Sequence, residues 1–586
     1  METLVQKLSQ MTGAAFEQEG LPSAAGGVRV SDRPDLAQFQ CNGAMGAAKA
    51  AGKPPRAVAE AVIVRLKDRT EFSRVDIAGP GFINLDVTDE YLAGYLAAAA
   101  HDARLGVPAM AHGETAVLDY GGPNIAKPMH VGHLRAAIIG DSVRRIMSFA
   151  GYKTLGDVHM GDWGTHMGMI ISEYMRTGRA AEVKALNLDD QKIVDGLMQE
   201  LSDMYPRVSA ACKEDEARKA EALDATVRIQ NKDGDYYALW QVIKEASVRG
   251  MRANYALLGV HFDLWKGEAD VHDLIAPMVE KLKKAHFAVE DQGALIVPVK
   301  RNDDTKEVPP LMLYKRDGAV MYGTTDLATL VERRDLYGPA KVIYVVDQRQ
   351  HLHFDQVFRA AKISGIIAQD VELTHAGFGT MNGQDGKPFK TRAGGVMKLE
   401  DLIQMGLEKA RERLAEAELA QDADEAERED VAHKVAIAAI KFADLQNQRL
   451  SDYIFDLDRL TRFEGKTGPY ILYQAVRIKS LLRKAAEQGH KPADAFKFLP
   501  EDRALALLLT QLPDAIAAAL KDYAPHNLCD YAYKLAQQFS SFYGSCHILS
   551  ESDEAVRDSR LALCALTQKQ LELVLGLLGI GIPARM

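Results

Sequence analysis

Apolar positions change their spacing along this chain, and each change marks a different kind of element. In AVAEAVIVRL (57–66) they recur at helical intervals, while GPGFINLDV (79–87) reads as a glycine turn entering a strand. Residues 1–110 are therefore predicted to form a compact α+β unit, an appendage to the larger body of the chain. AVLDY (116–120) is a continuous apolar strand, followed by the loop GGPNIAKPM and a helix, HVGHLRAAIIGDSVRRIMSFA, that Gly151 stops. Strand, glycine turn and helix N-terminus make the opening unit of a nucleotide-binding α/β sheet. From 180 to 285 the pattern is polar helix. Strand-like runs return at 293–300, 311–315, 319–323 and 341–346, between helical stretches. The prediction is one Rossmann-type parallel sheet split by a helical insertion. A loop rich in Gly and Lys (379–395) and an acidic stretch at 416–430 come next, the latter reading as a solvated helix face or connector. From 432 to 586 Ala/Leu periodicity predicts an all-α helical bundle.

Composition narrows the class. The chain has 586 residues, 47% hydrophobic and 26% charged, an ordinary globular mixture long enough for several domains. No apolar run is read as approaching the roughly 20 residues of a membrane span, and METLVQKLSQ lacks the pattern of a signal or transit peptide. The expectation is a cytoplasmic protein with no membrane partner. Cys41, Cys212, Cys529, Cys546 and Cys564 are scattered without a CxxC pair, which argues against a zinc ribbon or a disulfide framework and for buried thiols. With 71 Lys+Arg against 81 Asp+Glu the net charge is -10, which by itself argues against a nucleic-acid partner. The motifs overturn that inference.

His130 and His133 stand three apart around Gly132, directly after the first strand and the Gly-Pro-Asn loop, with Lys127 upstream. Read as the start of a helix, the spacing puts both imidazoles on one face beside the positive end of the dipole. A phosphate there meets free backbone N–H groups and two side-chain donors, and Gly132 lets a base or ribose approach the backbone. Attack on an α-phosphate suits this arrangement, because fixed donors stabilise the charge that builds in the transition state. A HxxH pair on an arbitrary helix is a surface or core feature; the placement after strand and loop is what favours chemistry here.

The run Pro123-Asn-Ile-Ala-Lys-Pro-Met-His-Val-Gly-His133 resembles the HIGH signature of class I aminoacyl-tRNA synthetases, in the extended form of the arginyl-tRNA synthetase family. HMGDWGT (159–165), FKTRAGG (389–395), GPYILYQAVRIKSLLRK (468–484), GPGFINL (79–85) and the final Pro-Ala-Arg-Met also resemble segments of that family, over nearly the whole chain.

The resemblance implies ligation of L-arginine to tRNA(Arg) through an arginyl-adenylate, with ATP entering as its Mg²⁺ complex and no zinc expected. It implies that His130 and His133 steady the ATP phosphates, with Gly132 and Pro123 framing the nucleotide. The class's second signature, a mobile lysine loop, corresponds to Lys387-Pro-Phe-Lys390-Thr391, whose middle departs from the pattern. Lys390 is favoured as the phosphate-neutralising residue, with Lys387 beside it and Lys127 as a partial substitute. For arginine, Asp119 and Asn124 match positions that hold charged groups of the substrate, and Tyr322, Asp326 and Gln350 match those that grip and frame the guanidinium. Asp326 is expected to make the charge-assisted pair. For tRNA the matching positions are Phe82 and Asn84 at the D-loop, and Tyr470, Tyr473, Arg477 and Met586 near the anticodon. His166 stands where the family often has glutamine.

The division implied is 1–110, a D-loop module; 111–180 and 291–378, the two catalytic halves; 181–290, the insertion; 379–431, lysine loop and connector; and 432–586, the anticodon-binding domain. A monomer is expected. Between Arg462 and Glu487 six basic residues face two acids, so a basic tRNA footprint is compatible with an acidic total. Gly465-Lys466-Thr467 mimics the end of a P-loop, but Leu460 stands where that motif needs glycine. A catalytically silent tRNA-binding relative would be expected to break the histidine or lysine signatures, which are kept. Another HIGH-bearing nucleotidyltransferase would not need the helical C-terminal domain, and a cysteine-specific synthetase would want a metal-binding cysteine cluster.

Overall fold

The computed structural model describes every residue except 317, 388 and 390–396. Its first segment comprises α1 (Leu4–Gln18), β1 (Val28–Val30), β2 (Phe39–Cys41), α2 (Gly43–Ala51), α3 (Pro55–Val64), β3 (Phe72–Ala78), β4 (Phe82–Val87) and α4 (Asp89–His101). The strands form an antiparallel sheet in the order β1-β2-β4-β3, matching the α+β expectation.

β5 (Thr115–Tyr120), α5 (Leu134–Ala150) and β6 (Lys153–Asp157) open the next layer. Val117 and Leu118 of β5 are fully buried, as a strand covered on both faces requires. Gly151, at φ 113°, caps α5 in the left-handed conformation where the sequence places its end. The helices α6 (Thr165–Arg176), α7 (Ala180–Lys184), α8 (Gln191–Glu214), α9 (Glu216–Gln230), α10 (Gly234–Leu257) and α11 (His272–Lys284) follow. Then come β7 (Val289–Asp291), β8 (Ala294–Val297), β9 (Leu311–Tyr314), α12 (Tyr322–Tyr337), β10 (Lys341–Val345), α13 (His351–Ile363) and β11 (Glu372–His375). The parallel sheet runs β11-β10-β5-β6.

Three strand predictions need correction. The runs at 293–300 and 311–315 join not the parallel sheet but a separate antiparallel one, β7-β8-β9. The run at 319–323 is not a strand: Val320 makes an isolated bridge to Tyr314, and Tyr322 already opens α12. Tertiary packing decides this, since Thr324 Oγ1 donates to Leu313 O at 2.6 Å and a Cβ on Gly323 would lie 2.5 Å from Leu311.

β12 (Met381–Asn382) and β13 (Tyr453–Ile454) form a short parallel pair on either side of α14 (Leu399–Glu416) and α15 (Glu425–Leu445). The acidic stretch is the connector between those helices and the exposed start of α15. α16 (Leu457–Leu460), α17 (Gly468–Glu487), α18 (Arg503–Leu509), α19 (Leu512–Lys521), α20 (His526–Ser545) and α21 (Glu554–Leu577) complete a helical bundle. Contrary to expectation, Pro500–Lys521 is long and apolar enough to cross a membrane by composition. It is broken into α18 and α19, with Leu505, Leu509, Leu512 and Ile516 buried in the bundle. All five cysteines are buried free thiols.

Candidate active site

The carboxyl ends of the parallel neighbours β10, β5 and β6 lie together at one edge of the sheet, where parallel sheets form their ligand-binding crevice. After Tyr120 the chain turns through Gly121 at φ 98°, where a Cβ would lie 2.7 Å from the Tyr255 hydroxyl. Only glycine passes there, so the loop drops directly over the sheet edge. Pro123 is buried, and Asn124 is exposed and bridges Gly161, where a Cβ would lie 2.1 Å from Asn124 Oδ1.

The histidine pair differs from the helical reading. His130 is extended, residues Val131–His133 form a single 3-10 turn, and α5 begins only at Leu134. The two rings stack at 3.9 Å, closer than a helical turn would place them. His130 Nδ1 accepts from Gly132 N–H at 3.1 Å, and His133 Nδ1 accepts from His130 N–H at 3.2 Å. Both ring protons are thereby assigned to Nε2. Burial pushes the His133 imidazole down to about 3, with His130 adding to the effect. Burial and then Lys127 lower His130 as well. The pair thus offers two neutral N–H donors held by the backbone. A Cβ on Gly132 would lie 2.8 Å from the His130 ring, which explains the glycine by contact. Lys127 Nζ lies 4.0 Å from the centroid of the Tyr205 ring, a cation–π seat supplied by α8.

The lysine segment is tied to the same turn. Val131 N–H donates to Met397 O and Leu399 N–H to Met129 O, both at 3.0 Å. Lys387 is exposed at the end of a turn closed by Gly383 N–H on Lys387 O at 2.8 Å. Lys390 lies outside the described residues.

Acidic groups collect on the other side of the crevice. Asp119 and Asp157 face each other across β5 and β6, and Arg333 Nη2 donates to both, at 2.6 and 2.7 Å. Sequence reasoning offered Asp119 to the substrate; one of its oxygens is instead taken by Arg333. Burial pushes Asp119 up while Arg333 pulls it down. Asp326, on the first turns of α12, bonds His353 Nε2 at 2.5 Å, which raises the His353 imidazole. Tyr322, at the start of the same helix, is 71% exposed, and Gln350 is exposed in the turn after β10.

Glu268 was missed. Burial, reinforced by Asp162 and also by Asp326, pushes its carboxyl up to about 7, and it acts on Tyr322 in turn. No motif spacing flags it, because it reaches the crevice through the short turn Glu268–Val271 after the insertion helices. His353 and Arg333 carried no signal either, each being one polar residue in an amphipathic helix. His166 is held near 4 by burial and by Lys127, and its Nε2 is buried without a hydrogen-bond partner. Among the described residues, one group has metal-binding spacing: Asp119, Asp157 and His159. The Arg333 guanidinium sits against its two carboxylates.

Behind the histidine turn, Arg135 and Asp444 form an ion pair at 2.9 Å with side chains 2% and 0% exposed. Arg135 also donates to Ser451 O at 3.2 Å and lies 5.1 Å from the Tyr453 ring. This links α5 to α15 and to the β12–β13 pair at the base of the lysine segment.

The residues expected at tRNA are spread over two regions. Phe82 is half-buried at the start of β4. Asn84 is 4% exposed, and its amide bonds Asp76 and Gln40 inside the sheet at 3.0 and 3.1 Å, so it is not free to read a base edge. Tyr470, Tyr473 and Arg477 share the half-buried face of α17, where Arg477 lies 5.1 and 5.0 Å from the rings of Tyr473 and Tyr543. Met586 packs against the core. The basic stretch is partly neutralised by neighbouring helices, through Lys466 with Asp530 and Lys479 with Glu572. Gly465-Lys466-Thr467 is a helix start, with Thr467 Oγ1 accepting from Tyr470 N–H at 3.2 Å.

Family models match in three blocks: "Arginyl tRNA synthetase N terminal domain" over 2–87, "tRNA synthetases class I (R), catalytic domain" over 96–457, and "DALR anticodon binding domain" over 471–586. The chain is 47% identical to an arginine–tRNA ligase of Hyphomonas neptunium, covering all of both chains, and 40% identical to one of Francisella tularensis subsp. novicida, covering 99% of each. Among solved structures it resembles the arginyl-tRNA synthetase of Plasmodium falciparum, with TM-score 0.82 and 26% identity over both full chains. The Thermus thermophilus enzyme shares the fold, with TM-score 0.77 at 21% identity over both full chains.

Proposed function

The chain belongs to the arginyl-tRNA synthetase family, and from that premise we propose how its own residues divide the work of an arginine–tRNA ligase. It joins L-arginine to ATP, releasing pyrophosphate, and passes the arginyl group to the terminal adenosine of tRNA(Arg). The observation that carries the reading is the pairing, across one crevice, of two neutral Nε2–H histidines with a cluster of carboxylates. Anionic phosphates suit one side and a guanidinium the other.

The substrate carboxylate attacks the α-phosphate of ATP, present as its Mg²⁺ complex. His130 and His133 donate to phosphate oxygens as charge builds on them, while Gly132 and Pro123 leave room for the nucleotide. Neutral donors suit the task because they require no titration in the physiological range. Lys127, Lys387 and Lys390 supply positive charge toward the leaving pyrophosphate. Asp326 and Glu268 receive the guanidinium, Tyr322 and Gln350 frame it, and Asn124 with the free side of Asp119 faces the α-amino and carboxylate end. Phe82 contacts the D-loop, with Asn84 holding the strand beneath it. Tyr470, Tyr473, Arg477 and Met586 form the anticodon face. The domains run 1–110, 111–180 with 291–378, 181–290, 379–431 and 432–586, in a cytoplasmic monomer.

Pyrophosphate exchange with each amino acid, with and without tRNA, tests this reading. Exchange with arginine alone, and only in the presence of tRNA(Arg), is expected. Exchange with a different amino acid, or none with cognate tRNA bound, overturns it.

A further inference from the structure

The deep end of the acidic crevice already contains a guanidinium. Asp119 and Asp157 are partners in the register of β5 and β6, and their oxygens lie within 4.8 Å of each other and of a His159 nitrogen. They are 7% and 2% exposed. Two carboxylates so placed cannot both stay ionised without a cation between them. Arg333, 1% exposed, supplies it through the single nitrogen Nη2, with its guanidinium 5.1 Å from the centroid of the Tyr344 ring.

Arg333 is also built on the helix that carries Tyr322 and Asp326. It lies seven residues beyond Asp326, two turns along the same face of α12. One helix face therefore presents an acid at its outer turn and a guanidinium at its inner turn. The crevice has two places chemically suited to a guanidinium, the inner at Asp119 and Asp157, the outer at Asp326 and Glu268. The inner one consists of two buried carboxylates in register, both bonded to Arg333.

We propose that Arg333 is a positioning residue for substrate selection: a resident guanidinium that fills the inner acidic seat, so that the substrate's guanidinium is received at the outer one. The proposal rests on the reading of arginine as substrate. With Arg333 removed, the inner seat draws a cation from solution, the substrate's own side chain included, and holds it about 10 Å from the productive place, two helical turns away.

The test is tRNA-dependent arginine–pyrophosphate exchange by Arg333→Ala, with and without guanidinium chloride at non-denaturing millimolar concentration. The expected result is a loss of at least about tenfold in kcat/KM for arginine with the ATP KM changed less than about twofold. Added guanidinium ion should restore kcat/KM at least about fivefold in the variant and inhibit the unaltered enzyme, and methylammonium, without the planar fork, should restore less. Arg333→Ala combined with Asp157→Asn removes the demand for a cation and should abolish the rescue. Should Arg333→Ala fail to fold, Arg333→Lys carries the test: kcat/KM for arginine falls with the ATP KM unmoved. A purely structural role predicts equal losses toward arginine and ATP and no rescue by guanidinium, and either result overturns the proposal. Absence of exchange in the unaltered protein would overturn the functional reading with it, while normal exchange there without rescue in the variant overturns this inference alone.

Discussion

Glu268 and His133 are shifted in opposite directions, and their pH signatures separate the two substrates. With its carboxyl held near 7, Glu268 is mostly protonated at pH 6 and mostly ionised at pH 8. A guanidinium binds the ionised form, so the KM for arginine should fall as pH rises from 6 to 8, by up to about tenfold. Glu268→Gln should flatten that dependence, and an unchanged slope in the variant would assign it elsewhere. Because the folded value lies above the ordinary one, the ligand-free protein loses this group's stabilising contribution as pH rises toward and through about 7, and bound arginine opposes the loss. His133 has the reverse sign. Its folded value near 3 lies below the unfolded one near 6.5, so stability is present above 6.5 and lost as pH falls toward 3. The ATP KM should therefore be flat from pH 6 to 8, where neither His133 nor its donor role titrates. Asp326→Asn removes a charge from the outer seat and the partner of His353 together; it should raise the arginine KM at least about tenfold and leave the ATP KM within about twofold. Equal changes in both would sink the assignment.

At the scale of elements, the sequence was most legible where local chemistry and packing agree. β5, the turn after it, α5 and its Gly151 cap stand where apolar runs and glycines place them, because each is set within a few residues. The run at 319–323 misleads, because only its first residues pair with β9, through the Tyr314–Val320 bridge and Met321 N–H on Leu313 O at 3.0 Å, before α12 begins at Tyr322. The histidine pair was legible as chemistry and misread as geometry: spacing three fits a helix, but backbone bonds into each Nδ1 hold a 3-10 turn instead. Glu268, Arg333 and His353 reach the crevice from separate elements and share no spacing, so no pattern in the chain could bring them together. Asn84 illustrates the converse, a matching residue whose amide is consumed by its own sheet. At the start of α17, Thr467→Ala removes the side-chain acceptor for Tyr470 N–H and should cost about 1 kcal/mol, read as a lower melting temperature with the arginine KM unchanged.

For the whole molecule, a net charge of -10 coexists with a tRNA partner because charge is sorted by region, although acids of α20 and α21 soften the basic stretch at 462–487. Affinity for tRNA should still fall steeply with added salt, while the arginine KM changes little; a salt-insensitive complex would contradict an interface made through phosphates. The Arg135–Asp444 pair bears on how the chain can be handled. Removing one partner strands a buried charge, so Asp444→Leu alone should destabilise by about 3–5 kcal/mol, whereas Arg135→Met with Asp444→Leu should recover most of the melting temperature. One apolar core also runs from Leu4 through α5 and α15 to Ile580. The family blocks succeed one another along the sequence as though they were separable cassettes, and the catalytic one, 96–457, holds both Arg135 and Asp444, yet its α5 is also bonded to the last helix, Ser142 Oγ donating to Leu577 O at 3.0 Å. Transplanting the anticodon-reading half onto a different synthetase core, or expressing the catalytic half alone, would require redesigning that one seam first.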